Sequence, residues 1–503
     1  MSELQGKKIL LLQQRRWATN IGHFLAIKLQ AQGCRLAALT LKRSAHEFIL
    51  SQTEVRYDLV IGNDEIMDDP KKYLGNDNIT LKQVCDDLGI DSVWPIANAL
   101  RNHVRTYRDK FYYGYMQNVS DEGIADYVKA VYKYTVLIFN EFSPDIIISP
   151  NFVSLPHIML RLYAAKKGIK MFGLTDSKVK HVNIFTYGEY DDRGPFFDRL
   201  DDLNNGKATS DNLEKAISYI SDFRQQFRQP TYAVNPDAKK TLYRAIRNEL
   251  SPYKQIWSWY TKPQKNYLKS TGITLDYRPP RIILRDFYYS KYYRHAAKKF
   301  PYEKIENIDK CIYFPLQFQP EISIEVMAPY FCNQLEVARQ IAMSLPDDYT
   351  LMVKEHPAMV GLRPPSSMIK LSRTPNVKVI DYHVPSDVAL KKADLVISPN
   401  STALVEASFY HKPAIQLGNL GTTQMLPNVV RHTDMTTLSG TIKRLLTTDF
   451  KTEDYEMRLR NYIAAAYDTG FSIDYTAIWE EGNKKELETL LNIYIEEVRK
   501  NIK

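Results

Sequence analysis

His356 has the clearest means in this chain of meeting a phosphate. It stands in Val353-Lys354-Glu355-His356-Pro357, where an apolar run breaks into polar residues. Pro357 brings no N–H to a sheet ladder and forces the chain to turn. A histidine at such a strand end can donate to a phosphate oxygen of a leaving nucleotide, and Lys354 adds positive charge. Side chains alternate along an extended strand, so Lys354 and His356 are expected on one face and Glu355 on the other. A second stretch breaks in the same way at Ser398-Pro399-Asn400-Ser401-Thr402, then runs into a helix-periodic segment from Ala403 to Tyr410. Ser398, Asn400, Ser401 and Thr402 bring hydroxyls, an amide and a helix N-terminus, where N–H groups and the dipole favour an anion. The same residue types make an ordinary N-cap, and a cap with spare N–H groups serves both purposes. Glu406 lies one turn further along that helix face, where it can accept from a ribose or simply pack. The two stretches together read as one wall of a nucleotide-sugar pocket.

A third polar strand end is Phe314-Pro315-Leu316-Gln317-Phe318-Gln319-Pro320-Glu321. Gln319 and Glu321 are its candidates for holding the sugar, with Glu321 also a candidate for the chemistry. Moving a sugar further requires a base within reach of the acceptor hydroxyl, or an internal return if configuration is retained. In the first half of the chain the candidates are Asp176, His157, Asp121 and Glu122. Ser120 followed by Asp121-Glu122-Gly123 also makes a good helix cap, and capping is the favoured reading there. Asp191-Asp192 and Asp347-Asp348 do not form a DxD-like metal pair. The phosphate charge is expected to be met by His356, Lys354 and helix dipoles, with no metal and no cofactor beyond the donor substrate.

Short apolar strands alternating with helices are needed to place these residues at one edge. Lys8 to Leu12, Cys34 to Leu39 and Tyr57 to Ile61 read as buried parallel strands separated by helices. Gly22-His23 falls in the first strand-to-helix turn. Asp145 to Ser149 and Ile169 to Leu174 follow, with a helix from Pro156 to Lys167, so that His157, Asp176 and Lys178 are expected at one edge of the sheet. In the second half, strands are predicted at Cys311–Phe314, Tyr349–Val353, Val377–Ile380, Asp394–Ser398 and Ala414–Leu417. Helices are predicted at Tyr330–Leu345, Ser386–Lys392, Thr402–Tyr410 and Thr437–Leu446. The fold class is therefore α/β, with two Rossmann-like doubly wound domains and a helical insert, which suggests the GT-B architecture. Residues 1–230 would form an acceptor domain with a helical insertion and 231–305 a basic aromatic insert. Residues 306–450 would form the nucleotide-sugar domain and 451–503 a helical tail that can pack back on the first domain.

The chain has 503 residues and a net charge of +9, which fits anionic partners. Its four scattered cysteines, with no CxxC pair, fit a reduced compartment rather than a disulfide frame or zinc site. No apolar run approaches the roughly 18 residues of a membrane span, so a cytoplasmic protein is expected, held if at all on the inner face of the cell membrane. Between 236 and 300, Lys and Arg outnumber Asp and Glu about four to one and aromatics interleave, among them Trp257, Trp259 and Tyr260. Such a segment can pack between domains, lie on an anionic membrane or stack on single-stranded nucleic acid. Nucleic acid is the least expected of the three. Pro279-Pro280 is read as a rigid bend near its end.

Phe314–Glu321, Lys354–Pro357 and Ser398–Glu406, in that order and spacing, resemble the capsule polysaccharide biosynthesis proteins of bacteria. Those are GT-B glycosyltransferases, and members of known activity transfer 3-deoxy-manno-octulosonate from its CMP donor to a lipid-linked acceptor. The His-Pro and Ser/Thr pair is also similar to that of bacterial sialyltransferases and polysialyltransferases, where it binds CMP, and to the glycerophosphotransferases of teichoic-acid synthesis. The resemblance covers 306–447 well, is loose over 145–192, and is absent over most of 64–142 and 236–300. It implies that His356 and Ser401/Thr402 hold the nucleotide phosphate of a CMP-linked donor. It also implies a surface polysaccharide or lipid-linked saccharide as acceptor. The chain departs from the family in lacking a clear acidic triplet after a first-domain strand, unless Asp121-Glu122-Gly123 serves, so the base stays open. Two other readings remain: an enzyme resembling nucleotide-sugar epimerases, and a non-catalytic scaffold or nucleic-acid-binding protein.

Overall fold

Continuous Ile/Leu/Val runs can be covered on both faces only between layers of helix, and the chain folds accordingly. A computed structural model describes residues 3–108, 116–226 and 241–502. The first sheet contains β1 (Lys8–Gln13), β2 (Arg35–Thr40), β3 (Leu59–Gly62), β4 (Ile146–Ile148), β5 (Lys170–Asp176) and β6 (Asn183–Thr186). Their order is β3-β2-β1-β4-β5-β6. All neighbours run parallel except β6, which is antiparallel to β5. The second sheet contains β7 (Cys311–Pro315), β8 (Thr350–Lys354), β9 (Val377–Ile380), β10 (Leu395–Ser398), β11 (Ala414–Gln416) and β12 (Val429–Arg431). Its order is β12-β11-β10-β7-β8-β9, parallel throughout. Counted from its own first strand, each sheet has the doubly wound order 3-2-1-4-5-6, and both are Rossmann-like. Such sheets bind ligands at the carboxyl ends of the strands, where the order reverses. Those points lie between β1 and β4 and between β7 and β10.

The halves are closed on each other by specific bonds. Arg105 and Glu325 form a buried ion pair at 2.7 Å. The Gly421 N–H donates to the Tyr190 carbonyl at 2.8 Å. A Cβ on Gly421 would fall 2.3 Å from the Asp192 Cα, so only glycine allows this approach. The Tyr462 hydroxyl lies 2.9 Å from the carbonyl oxygens of both Ser177 and Thr422. The tail returns to the first sheet. The helix Lys484–Asn501 sets Leu490, Leu491, Tyr494, Ile495 and Val498 against Ile9, Leu11, Ile146, Ile148 and Phe172.

Several elements differ from expectation. β6 and β12 are short edge strands that the sequence pattern does not announce. The segment 330–345 is a short turn, Pro329–Phe331, followed by a helix, Gln334–Met343, capped by Asn333. Pro279-Pro280 is a helix start rather than a bend, opening Pro280–Lys298, because proline's fixed φ suits a first turn. The expected boundary at 230/231 lies outside the described residues. No helix among the described residues is long and apolar enough to cross a membrane.

Candidate active site

The three polar strand ends fall side by side. β7 lies between β8 and β10, so the His356 loop and the Ser398–Thr402 turn sit on next-nearest strands, roughly 10 Å apart. The loop 316–321 fills the space between them. All three leave the same edge of a parallel sheet.

His356 follows β8 directly. Its Nδ1 accepts the Ala358 N–H at 3.1 Å, which leaves the proton on Nε2 and makes that nitrogen a donor. Burial first, then the charges of Lys354 and Arg363, push its pKa down to about 4, so the ring is neutral at physiological pH. Glu355 turns the other way, as strand alternation requires, and pairs with buried Arg363 at 2.7 Å. Lys354 is buried and donates to the Val384 carbonyl at 2.8 Å and the Ser386 hydroxyl at 3.2 Å. Burial pushes its pKa down to about 8, against the opposing charges of Glu406 and Asp387.

Ser401 caps the helix Thr402–Phe409, its Oγ accepting the Ala403 N–H at 3.1 Å. Ser398 is fully buried at the end of β10, and its Oγ has no partner among the described residues. Glu406 is buried, which raises its pKa to about 8, with Lys354 pulling the other way. Thr402 and Glu406 line a cavity of about 740 Å³ whose opposite wall includes Asp176, Lys178 and Tyr219 from the first half. This cavity brings two predicted nucleotide residues and one predicted base to one space.

Asn400 and Gln319 serve the framework. The Asn400 amide donates to the Ser323 carbonyl at 2.6 Å, and its oxygen accepts from Gln416 at 2.9 Å and from the Leu420 N–H at 3.2 Å. Gln319 donates to Glu325 at 2.9 Å and to the Cys332 carbonyl at 2.8 Å, and accepts from Gln334 at 2.7 Å. Both are buried and fix the loops around the strand ends. Glu321 is exposed beside the cleft and accepts from Ser323 at 3.0 Å. Partial desolvation raises its carboxyl above the usual range, against the Ser323 hydrogen bond and the Lys178 charge.

The candidate bases separate. Asp176 ends β5, is exposed, and accepts the Lys178 N–H at 2.9 Å. His157 does not project at the sheet edge as expected. It is fully buried in the helix Leu155–Lys166, with Nδ1 2.7 Å from the Ser154 hydroxyl, because almost every residue of that helix is covered. Burial pushes its pKa down to about 3. Ser120 caps the helix Asp121–Leu137 through the Gly123 N–H at 3.2 Å, and Asp121 and Glu122 sit exposed in its first turn. Gly22 packs where a Cβ would meet the Trp17 ring at 2.3 Å, and His23 reaches Glu54 at 2.8 Å.

A second cavity, about 420 Å³, opens where β1 and β4 diverge. Gln14 and Ser154 line it from the first sheet and Pro320 and Glu321 from the second half. Its charged residues include Arg15, Lys42, Arg101 and Asp276, none of them singled out from the sequence. They come from four separate segments with no shared local pattern, Arg15 two residues after β1 and Lys42 two residues after β2.

No protein-family model matches the sequence, and no curated protein matches it. Among solved structures, the chain is similar to a KpsC beta Kdo 2,7 transferase of Thermosulfurimonas dismutans, with 13% identity, 73% of this chain and 89% of that chain covered, and a TM-score of 0.34. It is similar to the KpsC beta Kdo 2,4 transferase of the same organism, with 14% identity, coverage of 69% and 87%, and a TM-score of 0.35. It is also similar to a UDP-GlcNAc 2-epimerase of Neisseria meningitidis bound to UDP-GlcNAc, with 12% identity, coverage of 92% and 97%, and a TM-score of 0.25.

Proposed function

We propose that the chain is a glycosyltransferase that moves a sugar from a nucleotide-sugar, CMP-linked by preference, to a surface or capsule polysaccharide or its lipid-linked precursor. The observation that carries this is His356, a neutral ring with its donor nitrogen set by Ala358, at the carboxyl end of β8, one strand from the switch point of the second sheet. A neutral donor there stabilises charge on a leaving phosphate without first being titrated. Ser401 and Thr402 add the N-terminus of a helix to the same anion. Lys354 contributes its charge from below, and Glu406 accepts from the ribose. Asp176, exposed across the larger cavity, takes the acceptor proton, and Glu321 holds the sugar or shares the proton transfer. His356, Lys354 and the helix dipole meet the phosphate charge, so turnover should survive EDTA. In this account residues 1–230 carry the acceptor, 306–450 the donor, and 451–503 pack back on the first domain.

An epimerase needs space for one nucleotide-sugar. The separate cavity at the β1/β4 switch point supports a second substrate and favours transfer. The insert, 231–305, is assigned to the inner face of the cell membrane. Its helix Leu242–Thr261 exposes Tyr243, Ile246, Leu250, Tyr253, Trp257 and Tyr260 at alternating three- and four-residue spacing, which makes one apolar stripe. Basic residues and aromatic rings together suit an anionic headgroup layer.

The test is thermal stabilisation by CMP-, UDP-, GDP- and CDP-linked sugars, for the parent and for His356→Ala. A donor that binds the folded state must raise the melting temperature. The expected outcome is stabilisation of the parent by a CMP-sugar and a much smaller shift in His356→Ala. Equal shifts remove His356 from the phosphate. No shift with any donor well above ~1 mM removes the transferase reading.

A further inference from the structure

Asp276 lies in the segment joining the two insert helices, Leu242–Thr261 and Pro280–Lys298, yet its carboxylate is seated at the first sheet. It lies 3.3 Å from Arg15, 3.4 Å from Lys42 and 3.7 Å from Arg101. Arg15 follows β1, Lys42 follows β2, and Arg101 opens the short helix Arg101–Val104. Burial opposes ionisation of Asp276, but the charges of Lys42, Arg15 and Arg101 outweigh it and hold its carboxyl below the usual range. Lys42 also lies 3.8 Å from buried Asp64. Asp276 is thus the one carboxylate that all three cations share, at distances longer than the ~2.7–2.9 Å of close charge-assisted bonds. The seat is wider than the group that fills it.

A second observation points the same way. His103 lines the same cavity, is 1% exposed, and has no partner for either ring nitrogen among the described residues. Asp64 also lines it, and its carboxyl, 3.8 Å from Lys42, competes with an incoming anion for that lysine. Buried polar atoms are seldom left without hydrogen bonds, and a ring nitrogen left so beside a cavity fits a partner brought by a bound ion or water.

We propose that Arg15, Lys42 and Arg101 form an oxyanion site, a phosphate site before a carboxylate one, which Asp276 occupies until the acceptor's own anion displaces it. A tetrahedral dianion spans three cations better than one planar carboxylate and neutralises more of their charge. His103 then gains an acceptor for its ring N–H. Assigning this anion to the acceptor rests on the transferase reading, whereas the oxyanion site does not.

The test is titration of the full chain at constant ionic strength with inorganic phosphate, glucose 1-phosphate and glucuronate. A fourth arm uses phosphatidic acid in phosphatidylcholine vesicles, and the arm that binds most tightly tells a soluble phosphate from a lipid-borne one. Asp276→Asn is expected to bind inorganic phosphate at least tenfold more tightly than the parent. Adding Arg101→Gln to it should return the affinity to the parent's value or below. Unchanged or weaker binding by a folded Asp276→Asn protein overturns the site, as does indifference to Arg101→Gln. If Asp276→Asn does not fold, Arg101→Gln alone decides. It must weaken phosphate binding by the parent at least fivefold, and an unchanged Kd overturns the site. No donor is present, so a failure here leaves the transferase reading standing, and a failure of donor binding leaves this titration intact.

Discussion

Arg105 and Glu325 meet inside the protein, one from each half, with 3% and 5% of their side chains exposed. One guanidinium nitrogen reaches both carboxylate oxygens, at 2.7 and 2.9 Å, and Glu325 also accepts from Gln319. Removing the carboxylate takes the ion-pair partner from a buried guanidinium, which costs about 3–5 kcal/mol. Glu325→Ala should therefore lower stability in urea by that amount. Replacing both partners together, Arg105→Met with Glu325→Leu, should recover most of it. A loss under ~1 kcal/mol for Glu325→Ala would mean that the halves are not held by this pair.

Donor affinity should fall in alkaline solution. Burial pushes Glu406 up to about 8 and Lys354 down to about 8, so they titrate as a pair. Below that pH the pair carries the lysine charge and a neutral carboxyl. Above it, the lysine is neutral and the carboxyl negative, next to the proposed seat of an anion. With an effective dielectric near 20, the change is of order 1 kcal/mol or more, so the donor Kd should rise roughly tenfold from pH 7 to pH 9. Glu406→Gln should flatten most of that slope. His356, with a pKa of about 4, adds nothing between pH 5.5 and 7. Calorimetric titration at fixed ionic strength checks this, and a Kd constant to pH 9 counts against Glu406 beside the donor.

The tail helix should be indispensable to the first sheet. Tyr494 is fully buried, with ring contacts to Trp17, Phe172 and Phe185. Truncating a buried aromatic costs about 3–5 kcal/mol. Tyr494→Ala should show that loss by chemical denaturation, whereas substituting the exposed Met457 should change stability by less than ~0.5 kcal/mol.

Binding to anionic vesicles should depend on the exposed stripe. Trp257 is 72% exposed and Tyr253 is 54% exposed. Serine at both positions should weaken sedimentation with phosphatidylglycerol vesicles by roughly tenfold, and high salt should weaken the parent's binding by screening its basic residues. A parent protein that ignores such vesicles at low salt has no membrane face here.

The strands were legible because parallel strands buried on both faces must be continuously apolar, as Ile9 to Leu12 and Ile146 to Ile148 are. β6 was not, because Asn183-Ile184-Phe185-Thr186 pairs antiparallel at an edge and follows a polar turn. The helix Pro365–Ser372 was hidden because Pro364-Pro365 looks like a loop while proline also suits a first turn. His356 and the Ser401 cap were visible as polar residues at strand ends. Asn400 and Gln319 look the same in sequence, and only tertiary contacts show their polar groups turned inward to Ser323, Gln416, Glu325 and Gln334. The Asp276 cluster could not be read at all, because Arg15, Lys42, Arg101 and Asp276 share no local pattern and meet only in space.

The helix Lys484–Asn501 covers a sheet whose first strand is residues 8–13. On the ribosome, β1, β4 and β5 emerge hundreds of residues before the segment that shields one of their faces. That face, with Ile9, Leu11, Ile148 and Phe172, is covered in part by Ile21, Leu25 and Leu29, and its cover is completed only when Lys484–Asn501 has left the exit tunnel. The first half therefore cannot finish folding as it is made. Its completion waits for Lys484–Asn501 to clear the tunnel, and until then the nascent chain presents apolar sheet surface for a chaperone to guard.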